Sequence, residues 1–178
     1  GFGANAVHFA ECGYNVDGID VAPSAITLTE KKITQKPNLR EKIKLKILTK
    51  DNSQRLPYSD DYFDYILSNQ TIYYLKSLES ITYLLDEFYR ILKPSGKMII
   101  SLIGPSNTLC KDGKEVAKDV FEYVDVTKSL GGKPSKAYVF RDEEHIKNVF
   151  KKFVIDEIGS WNNVYAGRNG FHFVVLCR

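Results

Sequence analysis

No apolar run in this chain is long enough to span a bilayer: Met98 to Ile103 and Phe171 to Cys177 fall far short of the ~20 residues a membrane helix requires. A basic-then-apolar leader is also missing, so no membrane or export role is expected unless a segment upstream of Gly1 carries one. Cysteine is scarce. Cys12, Cys110 and Cys177 are odd in number and widely spaced, with no Cys-x-x-Cys pair. That excludes the common zinc and redox frameworks and predicts reduced, mostly buried thiols in a cytoplasmic protein. The three histidines, His8, His145 and His172, stand alone on predicted helices or a strand, and none is taken as a catalytic base. Excess charge is lacking too. A formal net charge of +3 is too small to argue for nucleic acid by itself.

What is present fits one ordinary globular domain. The 178 residues, 43% hydrophobic and 26% charged, allow a substantial core and suggest neither disorder nor a fibrous repeat. Eight Lys or Arg bunch between Lys31 and Lys50. Within them Lys42-Ile43-Lys44-Leu45-Lys46-Ile47 alternates with period two, which reads as a strand whose lysines guard an edge rather than as a nucleic-acid patch.

Periodicity then predicts a helix over Ala4 to Cys12 ended by Gly13, and a strand over Asn15 to Ile19 finishing at Asp20. A helix from Ser24 to Lys36 and strands over Lys42 to Leu48 and Phe63 to Ser68 follow. A long helix covers Leu78 to Leu92, and a Lys93-Pro94-Ser95-Gly96 turn leads into a strand from Lys97 to Ile103. Residues 104–141 lose clear periodicity and read as an insertion with some helix around Val116 to Tyr123. A helix over Asp142 to Lys151 precedes two strands, Phe153 to Ile158 and Phe171 to Cys177, whose connection is too short for a crossover helix. Alternating strands and helices imply a doubly wound α/β fold with a mostly parallel sheet, and the terminal pair implies one antiparallel strand. Ligands in such sheets bind at the carboxyl ends of the strands.

The opening Gly1-Phe2-Gly3-Ala4-Asn5-Ala6 is a glycine loop running into a helix, and Val16-Asp17-Gly18-Ile19-Asp20 ends the next strand on an acid. Glycine lets a cofactor approach the backbone, and a carboxylate at that strand end can accept both hydroxyls of an adenosine ribose. The loop also satisfies the looser GxGxxA dinucleotide pattern, so on its own it admits NAD and S-adenosylmethionine equally.

Several ordered blocks within residues 1 to about 103 resemble the class I S-adenosylmethionine-dependent methyltransferases. Gly1-Phe2-Gly3-Ala4-Asn5 is similar to the later part of that family's glycine motif, and Phe9 to Ala22 to its following helix and acidic strand end. Leu56-Pro57 through Phe63-Asp64-Tyr65-Ile66 resembles its Leu-Pro turn and Phe-Asp strand start, and Arg90-Ile91-Leu92-Lys93-Pro94-Ser95-Gly96-Lys97 its turn before the fifth strand. The resemblance implies a Rossmann-like, mostly parallel seven-stranded sheet with an antiparallel C-terminal hairpin strand. Its first strand would precede Gly1, so the natural protein is expected to extend upstream. It further implies a single methyltransferase domain over residues 1–178, with 104–141 as a substrate-side insertion.

By the same resemblance Gly1, Gly3 and Asn5 would lie under the methionine part of S-adenosylmethionine, and Asp20 with Val21 at its ribose. Asp51, or Asn52 given a one-residue departure in spacing, would stand near the adenine amino group beside Ser53. Ser68 and Asn69 would face the methionine moiety or the substrate. Tyr73 and Tyr74 occupy positions where many relatives carry histidine. With an ordinary pKa of about 10, tyrosine is a poor base at neutral pH, so the pair reads as substrate walls or hydrogen-bond donors. Methyl transfer from a sulfonium mainly needs alignment, which supplies roughly 7 to 11 kcal/mol when reacting atoms are held at about 3 to 3.5 Å. A dedicated general base helps a hydroxyl nucleophile but is not required for a carboxylate, phosphate oxygen or thiolate.

Trp161, Asn162, Tyr165 and Arg168 in the last loop, with Lys133, Lys136 and Arg141, are the expected substrate contacts. Together they suit a small anionic or nucleotide- or sugar-linked molecule methylated on oxygen. A nucleic-acid (RNA) methyltransferase, an NAD-dependent oxidoreductase and a non-catalytic partner-binding domain are the alternatives. No metal and no membrane partner are expected; acceptor atom and oligomeric state are left open by the sequence.

Overall fold

The computed structural model describes residues 1–48, 55–124, 133–165 and 168–178, excepting the Tyr165 side chain. The expected sites at Asp51, Asn52 and Ser53 lie outside the described residues. The chain divides into two compact units, Gly1–Gln54 and Arg55–Arg178.

The first unit contains α1 (Ala4–Glu11), β1 (Val16–Asp20), α2 (Pro23–Thr34) and β2 (Ile43–Ile47). α1 starts from Gly3, whose φ of 70° lies in the left-handed region. α2 has Pro23 in its first turn, where the missing N–H would have no helical partner anyway. β1 and β2 pair in parallel, with Val16 opposite Ile43 and Asp20 opposite Ile47. Val7, Ala10, Ile33, Leu39 and Ile43 form the core of this unit.

The second unit contains β3 (Phe63–Ser68), α3 (Leu78–Ile91), β4 (Leu92–Ile103), α4 (Thr108–Lys111), β5 (Lys114–Ala117), β6 (Val120–Val124), β7 (Pro134–Tyr138), α5 (Glu143–Val149), β8 (Ile155–Trp161), β9 (Val164–Tyr165), β10 (Arg168–Asn169) and β11 (His172–Cys177). α3 is capped by the Ser77 hydroxyl, which accepts the Ser80 N–H at 3.1 Å. Ile81, Leu85, Phe88 and Ile91 recur at helical spacing on its buried face.

The largest sheet has the order β3-β4-β11-β8. β3 and β4 are parallel, whereas β11 is antiparallel to both β4 and β8. The expected antiparallel terminal strand is therefore present. The α/β sheet with a reversed strand is present, and among the described residues the largest sheet has four strands and is mixed. The reason is topological. The short β8–β11 connection carries no crossover helix, and β11 enters between β4 and β8, so one reversed strand makes two antiparallel ladders.

Two local expectations change. The Lys-Pro-Ser-Gly segment lies within β4, where Leu92 pairs with Phe63 and Lys97 with Tyr65, so residues 93–96 bulge from the ladder. The insertion holds strands, not a helix, around Val116 to Tyr123. β5, β6 and β7 form an antiparallel sheet, and β5 turns into β6 at Lys118-Asp119, Asp119 having a φ of 61°. Val116, Val120, Phe121 and Tyr123 are β-branched or aromatic and favour this pleated surface. Cys110 and Cys177 are buried, Cys12 is exposed, and all three are free. No helix of the described residues is long and apolar enough to cross a membrane.

Candidate functional site

In the first unit the glycine loop and the acidic strand end come together. The Asp20 backbone carbonyl is tied into the sheet by the Leu48 N–H at 2.9 Å. Its side chain projects past β1, where one carboxylate oxygen accepts the Ala22 N–H at 2.9 Å and the other accepts the Gly1 amino group. Partial burial pulls this carboxyl upward, while the hydrogen bonds from the Ala22 and Val21 amides favour its charged form.

Gly3 is required by its surroundings, not only by its φ. A Cβ built there would fall 2.2 Å from the Thr29 methyl carbon. Thr29 is buried in α2 and donates its hydroxyl to Ala25 O at 2.7 Å. Lys32, also in α2, donates to Phe2 O at 2.7 Å and fastens the loop from the same helix. Gly1 has open space around the position of a Cβ. Asn5 is exposed in the first turn of α1, and Val21 is exposed just beyond Asp20. Thr29 and Lys32 escaped the sequence reading; the only signal was the helical spacing that puts them on one side of α2.

In the second unit Ser68 and Asn69 end β3. The Ser68 hydroxyl is 2.7 Å from that of Thr71. Asn69 Oδ1 accepts the hydroxyl of Ser101 at 3.0 Å, and the same hydroxyl accepts the Gln70 N–H at 2.7 Å. Gln70 is held at a φ of 54°. Ser101 was also missed, although a hydroxyl interrupting the run Met98 to Ile103 is a legible oddity.

Tyr73 is buried in a cluster with Ile103, Cys110, Tyr123, Ala137 and Val139. Burial, reinforced by Tyr74, pushes its hydroxyl far above the ordinary tyrosine value, so it holds its proton. Tyr74 is half exposed, its ring 4.6 Å from that of Tyr73. Of the cations expected to meet substrate, Arg141 pairs with Asp119 at 3.2 Å and Lys136 with Glu122 at 3.9 Å. Trp161 and Arg168 do line a cavity of about 260 Å³, together with Gln70, Asn107, Asn169 and His172. His172 is buried and hydrogen-bonded through Nδ1 to Gly170 O at 2.8 Å; desolvation lowers its pKa despite that bond, so the ring is neutral.

A methyltransferase domain family matches residues 1–100, more than half of the chain and inclusive of the glycine loop, Asp20, the Leu-Pro turn and the Lys-Pro-Ser-Gly bulge. The chain belongs to this methyltransferase family. The class I S-adenosylmethionine-dependent identification drawn from the sequence is borne out, and with it S-adenosylmethionine as the family's cofactor. The methyltransferase domain is 30% identical over 115 residues to a sterol 4-C-methyltransferase of Caenorhabditis elegans, covering 65% of this chain and 32% of that protein. It is 34% identical over 102 residues to the demethylmenaquinone methyltransferase of Lactobacillus johnsonii, covering 57% and 39% respectively. The chain thus spans between a third and two fifths of the length of these curated relatives. Among solved structures, an S-adenosylmethionine-dependent methyltransferase of Methanosarcina mazei superposes with a TM-score of 0.78 at 21% identity, covering 99% of this chain and 87% of that one. That likeness establishes the α/β Rossmann-like fold.

Proposed function

We propose that this protein transfers a methyl group from S-adenosylmethionine to an oxygen of a small anionic acceptor, acting in the cytoplasm. The observation that carries the reading is Asp20, a carboxylate at the end of β1 in the first unit, one oxygen of which accepts the Ala22 N–H at 2.9 Å. A partly exposed acceptor in that place suits vicinal ribose hydroxyls. In this reading Asp20 and Val21 hold the ribose, and Gly1, Gly3 and Asn5 the methionine end. Asp51, Asn52 and Ser53 serve the adenine.

S-adenosylmethionine, when bound, supplies an electrophilic methyl group on its sulfonium. The chain's own contribution is alignment and exclusion of water. Ser68 and Asn69 orient the methionine moiety or the acceptor, with Asn69 steadied by Ser101. Tyr74 provides an acceptor wall and Tyr73 supports it from the core, neither acting as a base. The reading includes one methyltransferase domain over 1–178, an acceptor-side insertion over 104–141, and the seven-stranded sheet of the family.

Thermal unfolding with S-adenosylhomocysteine and with NAD tests the proposal. Homocysteine-product binding at a hundredfold excess over Kd should stabilise by about 2.7 kcal/mol, NAD should not, and Asp20→Ala should abolish the effect. Equal stabilisation of wild type and Asp20→Ala, or none at all, overturns it.

A further inference from the structure

The cavity in the second unit has a chemical character narrower than "small anionic molecule". Trp161 and His172 form one wall, with ring centroids 5.2 Å apart and planes inclined by 35°. Gln70, Asn107 and Asn169 bring amide groups around it. Asn107 and Asn169 are both fixed: Asn107 Nδ2 donates to Phe171 O at 3.1 Å, and Asn169 Nδ2 donates to Ser106 O at 2.9 Å. Among the described residues no carboxylate lines the cavity, and Arg168 is the one charged residue that does. Among the described residues Arg168 has no ion-pair partner, unlike Arg141 and Lys136.

We infer that this cavity binds a planar aromatic or heteroaromatic acceptor carrying one anionic oxygen group, and that Arg168 is the residue that reads that anion. The inference rests on the methyl-transfer reading for the word "acceptor" only; the binding preference stands on the cavity itself. Flat rings match an aromatic wall whose faces offer dispersion and quadrupolar contact. A carboxylate or phenolate matches a guanidinium fork, which binds planar oxyanions in bidentate fashion. With His172 neutral, one negative charge balances the cavity and a second would go uncompensated. The volume of about 260 Å³ lies at the lower edge of ordinary ligand pockets, about 300–1,000 Å³. That restricts the occupant to one or two fused rings. A long hydrocarbon acceptor is disfavoured for a separate reason, since it would bury the Arg168 charge and the amides without partners.

The chain has one tryptophan, so Trp161 fluorescence reports on this cavity directly. The test titrates the whole protein with 4-hydroxybenzoate and with its neutral analogue 4-hydroxybenzamide, in wild type, Arg168→Gln and Arg168→Lys. Circular dichroism establishes that each variant is folded. The expected result is saturable quenching by the anion, weakened about tenfold to a hundredfold in Arg168→Gln and partly restored in Arg168→Lys, with the amide binding weakly throughout. Equal affinity for anion and amide, indifference to Arg168→Gln, or no saturable quenching by either probe overturns the inference. Stabilisation by S-adenosylhomocysteine, measured in parallel, separates the two claims. Its loss would sink the methyl-transfer reading while leaving the cavity's preference standing, and its retention in Arg168→Gln would show that only the acceptor side was altered.

Discussion

Ser101 Oγ lies 3.0 Å from Asn69 Oδ1 and 2.7 Å from the amide nitrogen of Gln70, so one hydroxyl in β4 fixes both residues that follow β3. It donates to the first and accepts from the second. Ser101→Ala leaves the Gln70 N–H without its partner at a backbone position already held at positive φ. The expected loss is about 1–3 kcal/mol of stability, accompanied by weaker stabilisation by S-adenosylhomocysteine; Ser101→Thr should retain most of both. Chemical denaturation with and without the ligand measures the two effects separately.

Gly3 and Gly1 should respond differently to the same change. Gly3→Ala places a Cβ at positive φ, which costs about 1–2 kcal/mol, and drives it against Thr29. Gly1→Ala meets no neighbouring atom within 4 Å and should be neutral for stability. Adding Thr29→Ala to Gly3→Ala should recover part of the loss, the steric part, and leave the conformational part. Urea midpoints of the three variants and the wild type check this.

Arg90 clamps the Leu-Pro turn onto α3. It donates to Leu56 O, Tyr58 O, Asp60 and Glu87, while Glu87 itself accepts the Leu56 N–H at 2.7 Å. The hydrogen bond from Arg90 chiefly holds the Glu87 carboxyl below its ordinary value against some desolvation. Arg90→Met should cost about 1.5–3 kcal/mol, the range for a lost hydrogen bond to a charged group. Arg90→Lys should recover only a minor part, because an ammonium cannot span the same set of carbonyl and carboxylate oxygens. Thermal unfolding at neutral pH reads the order wild type, lysine, methionine.

His145 should make stability fall on mild acidification. Its Nδ1 accepts from the Arg141 amide and guanidinium, and its Nε2 is 3.1 Å from the Tyr138 hydroxyl. Desolvation, and then the Arg141 charge, lower its pKa from 6.5, against weaker opposing pulls from Asp119 and Asp142 and with a small further push from Lys118. Above pH 6.5 the ring is neutral in both folded and unfolded chains, so it adds no pH dependence there. Below that value the unfolded ring takes up its proton first, and the folded state loses stability until its own lower pKa is passed. Melting temperatures taken from about pH 7.5 to about pH 5 should decline, with a shallower slope in His145→Gln; the buried His172 contributes the same sign and keeps the slope from vanishing.

Apolar and aromatic content made β3 legible to its end residues, and periodicity made α3 and α1 legible to within a residue, because each helix has one buried face. Asp20 was legible because its place, an acid ending a strand after a glycine loop, is set by local sequence. The residues that hold the glycine loop and the end of β3 were not. Thr29 and Lys32 reach the loop only through packing of α2, and Ser101 reaches Asn69 and Gln70 only through pairing of β4; neither relationship is written in any short stretch of chain. The insertion misled for another reason: the β5–β6 reversal uses Lys118-Asp119, with no glycine or proline to announce a turn. Arg168 and Trp161 were legible as substrate contacts from their loop, but that Arg168 would be the one charge among the cavity's described residues emerged only from the structure, in which Arg141 and Lys136 are engaged elsewhere.

β11 joins two strands made before it, β8 just before and β4 long before. β4 and β8 each leave the ribosome lacking the neighbour that will bridge them, and His172 must find Ile103 across all of the insertion and α5. Such distant pairing slows folding and leaves two strand edges bare while synthesis continues. A truncation ahead of His172 would therefore remove the sheet's interior bridge rather than trim its border.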